Sequence, residues 1–577
     1  MSYSSRRILF VEFDLDFCEL RFSQGACSAA PAPGRECYNT LATCPVPSDF
    51  SRTTRTIRFA LPGTPDIPGV PFYPQLVTVV HVPGQIRKSG GIGARDTVRA
   101  VIQDFLHDDT WVDPYRDGRS PPNSSFCQKM LARNRYFPGR IMRVRDGEMP
   151  ADGVVDLSRL RTRTYLLEGA DPRSGEEYEF TAKDLMATLS DRKIPEATAG
   201  ELAVKLEIGA TEAVLKDEHA AQYGAAPFVL ALDKEDILVT AVATDTLTIE
   251  RAQNGTTEAE HQPDTRAQKV KVYDIARPDE RWEELLLDAG VDPDRIASAE
   301  AATEGARWLS SWKTAAVIRK PTEVTKLVDD LLLQTLSSSW WDPESQVQRF
   351  RHIRPFDIDE IPLEVTDGLI SANSLRPRPD PSARTNNVVI YSGVGDWSRD
   401  VTKYDKDEPA FTQIIDTFDA GAQGILQYGD EKVLEIFAYW IPVGSSPEMR
   451  SMAYRYLSQH RDIPEPIAFQ VDRSTGEALR LGTPVRLTSS RYVGIDGRPK
   501  VVEGIVQQRI EPRAAQDLAF SVFALEIDQQ ASTSRWAFYA PPGLPAYVDA
   551  SAEERKYAFY PQPDGLMPNG DEGYRYL

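Results

Sequence analysis

Four cysteines, Cys18, Cys27, Cys37 and Cys44, crowd into 27 residues near the start of a 577-residue chain whose only other cysteine is Cys127. Their separations of 9, 10 and 7 positions match neither the short C-x2-C knuckles of common zinc folds nor the compact ferredoxin run. Four thiolates can still close a tetrahedral zinc site or hold a 4Fe-4S cluster, because both need four soft anionic ligands. Gly25, Pro31, Pro33, Gly34 and Pro45 supply turns to wrap a short loop around one centre. Residue type and spacing leave zinc, iron-sulfur, late-formed disulfides and unrelated buried thiols all open. No signal peptide or membrane span is visible, since the apolar run Ile8 to Val11 is cut by Glu12, far short of about 20 residues. That predicts folding in a cytosol, where thiols stay reduced and clustered cysteines point to metal binding. Cys127, in Ser125-Phe126-Cys127-Gln128-Lys129, reads as an inert packed thiol.

The length predicts two to four domains. With 41% hydrophobic and 26% charged residues the chain has the balance of a folded protein. Its 66 Lys and Arg against 86 Asp and Glu leave a net charge of -20, which disfavours a sequence-reading nucleic-acid binder. Patterning predicts an α+β, β-rich, multidomain fold. Leu9, Val11, Phe13, Leu15 and Phe17 alternate with Phe10, Glu12, Asp14 and Asp16, which predicts a half-buried strand running into Cys18. Further strands are expected at Thr54 to Phe59 and Gln75 to Val82, and a helix at Arg95 to Phe105. Asn254-Gly255, between β-prone runs, predicts a hairpin in a small β-module. Helices are expected at Arg281 to Ala289, Glu304 to Ser311 and Glu323 to Thr335, the last with Val324, Leu327, Val328 and Leu331 on one face. Strands return at Asn387 to Tyr391, Val433 to Trp440, Ile467 to Val471, Leu479 to Leu487, Val501 to Arg509 and Phe520 to Ile527. The tail that follows, rich in aromatic residues, proline and glycine, reads as an arm strapped along its own domain or a neighbour.

The search for an active site returns little. No H-E-x-x-H, G-x-S-x-G or Walker A pattern is present. Gly393-Val394-Gly395 lacks the third glycine of a dinucleotide loop and reads as a turn. Asp104, His107, Asp108, Asp109 and Asp113 can bind a divalent ion or do acid-base chemistry, but match no calcium loop and read as a solvated acidic loop. Arg133, Arg135, Arg140, Arg143 and Arg145, with Tyr136 and Phe137 between them, look like a nucleic-acid strip; in so acidic a chain, pairing with carboxylates is expected instead. The chain reads as a structural protein, with no catalytic residues. The rival readings are an iron-sulfur or zinc enzyme using the acidic group, and a tail-associated cell-wall hydrolase.

Several segments resemble the baseplate or tail-tip hub proteins of long-tailed, siphovirus-type bacteriophages. The most specific is Cys37-Tyr38-Asn39-Thr40-Leu41-Ala42-Thr43-Cys44, following Cys18 and Cys27. Others are Gly91-Ile92-Gly93-Ala94-Arg95, Gln103-Asp104-Phe105, Val112-Asp113-Pro114-Tyr115, Leu131-Ala132-Arg133-Asn134 with Gly139-Arg140, and the run from Leu247 to Thr257. The resemblance implies tail-tube-like β-barrel hub domains and a 4Fe-4S cluster on Cys18, Cys27, Cys37 and Cys44, with zinc as the alternative. It divides the chain into an N-terminal barrel domain (1–195) bearing the cysteines, an inserted β-module (196–275), a helical or mixed domain (276–355), a C-terminal barrel (356–530) and the arm (531–577). It also implies a homotrimer in the virion tail, assembled in the host bacterial cytoplasm. There it would contact a distal tail protein, the tape-measure protein and tip or receptor-binding proteins. DNA would pass through its channel during ejection, past walls whose acidity disfavours phosphate contacts.

Overall fold

The structure, a computed structural model, describes residues 7–30, 36–87, 90–110, 113–115, 123–149, 153–184, 186, 189, 192–354, 360–418, 429, 431–460, 466–494, 496–510 and 520–524, with 536–537, 545, 549–551 and 575–576 beyond them. It is a β-rich α+β fold of several sheets with a helical middle. The first region runs β1 (Arg7–Cys18), β2 (Arg52–Ala60), β3 (Leu76–Val82), β4 (Gly91–Ile92), β5 (Thr97–Gln103), β6 (Leu106–His107), β7 (Ser124–Ser125), helix α1 (Phe126–Arg133), β8 (Ile141–Glu148), β9 (Arg161–Arg173) and β10 (Glu177–Lys183). Seven of these strands form one antiparallel sheet in the order β2-β1-β8-β9-β10-β5-β3.

The alternation of β1 sends Leu9, Val11, Phe13, Leu15 and Phe17 into a core with Phe59, Met142, Val144, Tyr165 and Phe180. Its other side is covered too, which corrects the half-buried expectation. Ile8 and Phe10 pack with Ala60 and Leu160, and Glu12 is only 1% exposed. Glu12 lies among Arg58, Arg143 and Arg145 at 2.8, 3.1 and 3.0 Å. Burial alone would raise its pKa; the bonds and charge of Arg145, with Arg143 and Arg58, outweigh that and hold it below the usual range. The helix expected at Arg95 to Phe105 is instead strand β5. Val98, Ala100 and Ile102 alternate into the core while β10 and β3 pair on either side, so ladder formation overrides a weak helical pattern rich in β-branched residues.

After β11 (Lys193–Ile194), the small module contains β12 (Gly200–Glu201), β13 (Glu212–Val214), β14 (Phe228–Leu232), β15 (Glu235–Ala243), β16 (Thr246–Gln253) and β17 (Arg266–Ala276), ordered β12-β17-β14-β15-β16-β13. Asn254-Gly255 is a turn with positive φ at both residues, but not the expected hairpin, because β16 pairs with β15 and β13 and the chain crosses the sheet before β17. The tight hairpins lie at Asp233-Lys234 and Thr244-Asp245. Asn254 instead donates to Asp236, within a buried polar network in which Glu235 binds Arg251 twice at 2.8 Å and His261 at 3.0 Å.

The helical middle follows, with α2 (Pro278–Asp288), α3 (Ser298–Trp308), β18 (Thr314–Ile318), β19 (Thr322–Glu323), α4 (Val324–Gln334), β20 (Ser337–Asp342) and β21 (Val347–His352). The apolar face of α4 is fully buried as its spacing predicts. The last region comprises β22 (Leu363–Thr366), β23 (Arg376–Pro377), β24 (Asn387–Val394), β25 (Phe411–Phe418), β26 (Val433–Ala438), helix α5 (Ser446–His460), β27 (Ile467–Val471), helix α6 (Arg473–Ala478), β28 (Pro484–Val493), β29 (Pro499–Ile510) and β30 (Phe520–Ala524). Helix α6 occupies the approach to β28, so the strand expected from Leu479 begins only at Pro484. Helix α5 was not foreseen; its Met449, Met452, Ala453, Tyr456 and Leu457 share one core with Trp282, Leu331, Ile390 and Trp440. The aromatic arm lies outside the described residues, apart from isolated positions and a short parallel pairing of Trp536–Ala537 with Arg575–Tyr576.

The Gly91 motif fastens the first region to the middle one. Strand β4 lies parallel to β20, and the Asp329 carboxylate on α4 accepts the Ile92 N–H at 2.8 Å and Arg87 at 3.1 Å. A Cβ on Gly93 would stand 2.4 Å from the Gln85 carbonyl oxygen, and Gly91 combines a φ of +100° with an equally close approach to Asp329. Only glycine fits this crossing.

Candidate metal centre

Strand β1 delivers Cys18, at its last residue, to the edge of the first core, where Cys18 and Cys37 are buried and Cys27 and Cys44 are half-buried. All four are free thiols. The loop carrying them is held by hydrogen bonds within the Cys37–Cys44 segment and from it and its neighbours back to earlier positions. The Asn39 carbonyl accepts the Cys18 N–H at 2.7 Å, and the Asn39 side-chain amide donates to the Cys18 carbonyl at 3.0 Å. Thr40 and Thr43 join through their hydroxyls at 2.9 Å across a single 3-10 turn, and the Cys44 N–H closes that turn on the Leu41 carbonyl. Asp49 accepts from the Ser28 N–H and hydroxyl at 2.7 and 2.6 Å, tying the Cys27 limb to the segment after Cys44.

Burial raises the Cys44 thiol pKa and the charges of Cys18, Cys27 and Asp49 add to the rise, against a hydrogen bond with the Val46 backbone. Burial likewise raises the Tyr115 phenol, with Cys37, Cys18 and Cys27 adding to it. Four soft sulfur donors on one loop are the donor set that a thiolate-bound metal centre takes. Among the described residues, no three His, Cys, Asp or Glu side chains converge as a cage for one ion.

Two residues from beyond the cysteine segment hold the loop from outside. Tyr115 accepts the Phe22 N–H at 2.7 Å on its hydroxyl. Arg133, at the end of α1, stacks over the Tyr38 ring at 4.1 Å and also binds Asp109 at 2.8 Å. An asparagine between two of the clustered cysteines is the one available signal, since asparagine tolerates left-handed backbone and has an amide to spend on neighbours.

The acidic group is scaffolding, and its reading as a solvated loop is corrected by burial. Asp104 accepts the Phe105 and Cys127 N–H groups at 2.9 Å and the Ser125 hydroxyl. Asp109, 1% exposed, is paired with Lys129 and Arg133; burial would raise its pKa, but these cations hold it low. Asp113 is buried and accepts the Tyr115 N–H at 2.9 Å. Arg133, Arg140, Arg143 and Arg145 pair with carboxylates as expected. Cys127 is fully buried; burial, then Asp104, raises its thiol far above the ordinary value, which keeps it protonated and unreactive. Gly393 and Gly395 sit at the end of β24 and just beyond it.

No family model matches the chain, and no curated protein matches it. Among solved structures it is similar to a tail protein from Neisseria meningitidis MC58, with 8% identity over 78% of this chain and 92% of that one and a TM-score of 0.37. A 43 kDa tail protein of prophage MuSo2 from Shewanella oneidensis aligns at 10% identity over 79% and 99% of the two chains, TM-score 0.33. The prophage tail protein gp18 from Listeria monocytogenes EGD-e aligns at 6% identity over 67% and 86%, TM-score 0.25.

Proposed function

We propose that this chain is a structural protein of a long-tailed phage virion, the hub joining the distal tail tube to the tip, with a 4Fe-4S cluster stapling its first domain. The observation that carries the reading is the motif from Cys37 to Cys44: its Asn39 returns to Cys18 and bonds both backbone groups of that residue, on a loop that carries four free thiols. Cys18, Cys27, Cys37 and Cys44 would hold the cluster, which supplies four-way crosslinking to a loop with little core of its own. Such a centre would add on the order of 10 kcal/mol of stability to a loop that its own hydrogen bonds already shape.

The structural role is supported by what the alternative chemistry would need. Asp104, Asp109 and Asp113 spend oxygens on N–H groups, a hydroxyl and cations of their own domain, which is the bonding of scaffold carboxylates. The hub reading carries with it a homotrimer around a DNA channel, contacts with distal tail, tape-measure and tip proteins, and residence in the virion. No helix among the described residues is long and apolar enough to cross a membrane.

Anaerobic purification followed by iron and acid-labile sulfide assays tests the centre. Equal iron and sulfide with visible absorbance is expected; a colourless protein with stoichiometric zinc would overturn the iron assignment. Native mass spectrometry of the assembled protein tests the trimer, and a monomer at all concentrations counts against the hub.

A further inference from the structure

Asn39 touches two of the four ligand cysteines and satisfies both backbone groups of one. Its carbonyl and side-chain amide take the N–H and C=O of Cys18. Its own N–H points at Cys37 Sγ at 3.4 Å, and its Oδ1 lies 3.7 Å from the same sulfur. The residue is 4% exposed with a φ of +58°. A buried amide needs partners, and the side-chain bonds of this one go to Cys18 and Cys37. The left-handed backbone makes the arrangement possible: it turns the Asn39 N–H back toward the preceding cysteine while its carbonyl faces the end of β1.

We propose that Asn39 is the positioning residue of the cysteine centre. It fixes Cys18 and Cys37 as a ligand pair before metal arrives, and its N–H remains a donor to the Cys37 sulfur afterwards. The proposal rests on the metal reading above and deepens it. Groups around a metal's ligands orient them, and removing one such group commonly weakens metal binding 10- to 100-fold.

Two variants separate the parts. Asn39→Gly keeps the left-handed backbone and the N–H to sulfur but deletes the amide clamp. Asn39→Asp keeps an acceptor, loses the donor to the Cys18 carbonyl, and places a carboxylate beside Cys37. The full chain and both variants are reconstituted anaerobically with ferrous iron and sulfide, then compared by chelator extraction, electron paramagnetic resonance and reduction potential. Iron is expected to leave Asn39→Gly about 10-fold faster or more, and in Asn39→Asp the potential falls, since added negative charge favours the oxidised centre. Equal extraction rates in all three proteins overturn the proposal. In metal-free protein, alkylation of Cys18 and Cys37 followed by mass spectrometry is expected to quicken in Asn39→Gly by up to about 10-fold, the scale of one lost hydrogen bond, with Cys127 unchanged. Unchanged rates at Cys18 and Cys37 overturn it equally, while acceleration at Cys127 as well marks general unfolding and overturns a positioning role. If the unmodified chain takes up no iron, the cluster reading fails by itself and the alkylation experiment alone judges Asn39.

Discussion

At the scale of single residues, the first domain turns on a buried carboxylate. Glu12 was legible only as the polar position of an alternating strand; that three arginines from two neighbouring strands close over it follows from register, which one segment cannot reveal. Neutralising one member of a buried charge cluster leaves the others uncompensated. Glu12→Gln is therefore expected to destabilise the first sheet by about 3 kcal/mol. Denaturant-dependent alkylation of Cys127, which sits in the core on the opposite side of β1, measures it; a change under about 0.5 kcal/mol, the range of ordinary surface substitutions, would contradict the account. The clustering of the cysteines is legible from the sequence, as is the pairing of Arg133 with a carboxylate. The contacts of Asn39 and Tyr115, and of Arg133 with Tyr38, are not, because residue type does not announce them.

At the scale of elements, strands with clean alternation were readable and those whose pattern mixes periods were not. Val98, Val101 and Ile102 in β5 fit a helix or a strand equally until pairing with β3 and β10 decides. The stripe in α5 is helical in spacing, but built of Met, Ala and Tyr, with little contrast to its flanks. Two elements also carry opposite pH signatures. Glu235 is held at about 2, despite burial, by Arg251, the Ala259 N–H and His261. Its folded value lies below the ordinary 4.5, so its stabilisation is present above that pH and is lost as pH falls toward 2. Asp184, just after β10, is pushed up to about 6 by burial and the charge of Asp96. Its contribution is full below the ordinary 3.8 and declines as pH rises through 6. Hydrogen exchange should show the β12–β17 module loosening between pH 5 and pH 3. The same measurement on β10 should show weakening from about pH 4 to 7, an effect abolished by Asp184→Asn. If both regions respond alike, the assignments fail.

At the scale of the whole molecule, the regions are stitched together by backbone from distant parts of the chain. Strand β4 enters the β20 sheet, Ile86 donates to the Gln507 carbonyl, and β11 pairs with β19. Sequence reasoning treated these regions as consecutive domains because periodicity is local, whereas the glycines from Gly90 to Gly93 reveal their purpose only beside Asp329 and Ser337. Asp329→Ala is expected to release β4 without melting the seven-stranded sheet, seen as proteolytic cleavage near Ile86 to Arg95 while Cys127 stays protected. Cleavage equal to that of the unmodified chain would show that the carboxylate does not fasten the crossing.

The stitch between Ile86 and Gln507 spans some 420 positions. At ribosomal speeds of about 5 to 20 residues per second, the first region waits roughly 20 to 80 s for its final strand partner. The cysteine loop needs no such wait, since Asn39, Tyr115 and Arg133 all lie within the first 133 residues. In the growing chain, the bonds that order the thiol-bearing loop can thus form well before the seam that joins the molecule can close.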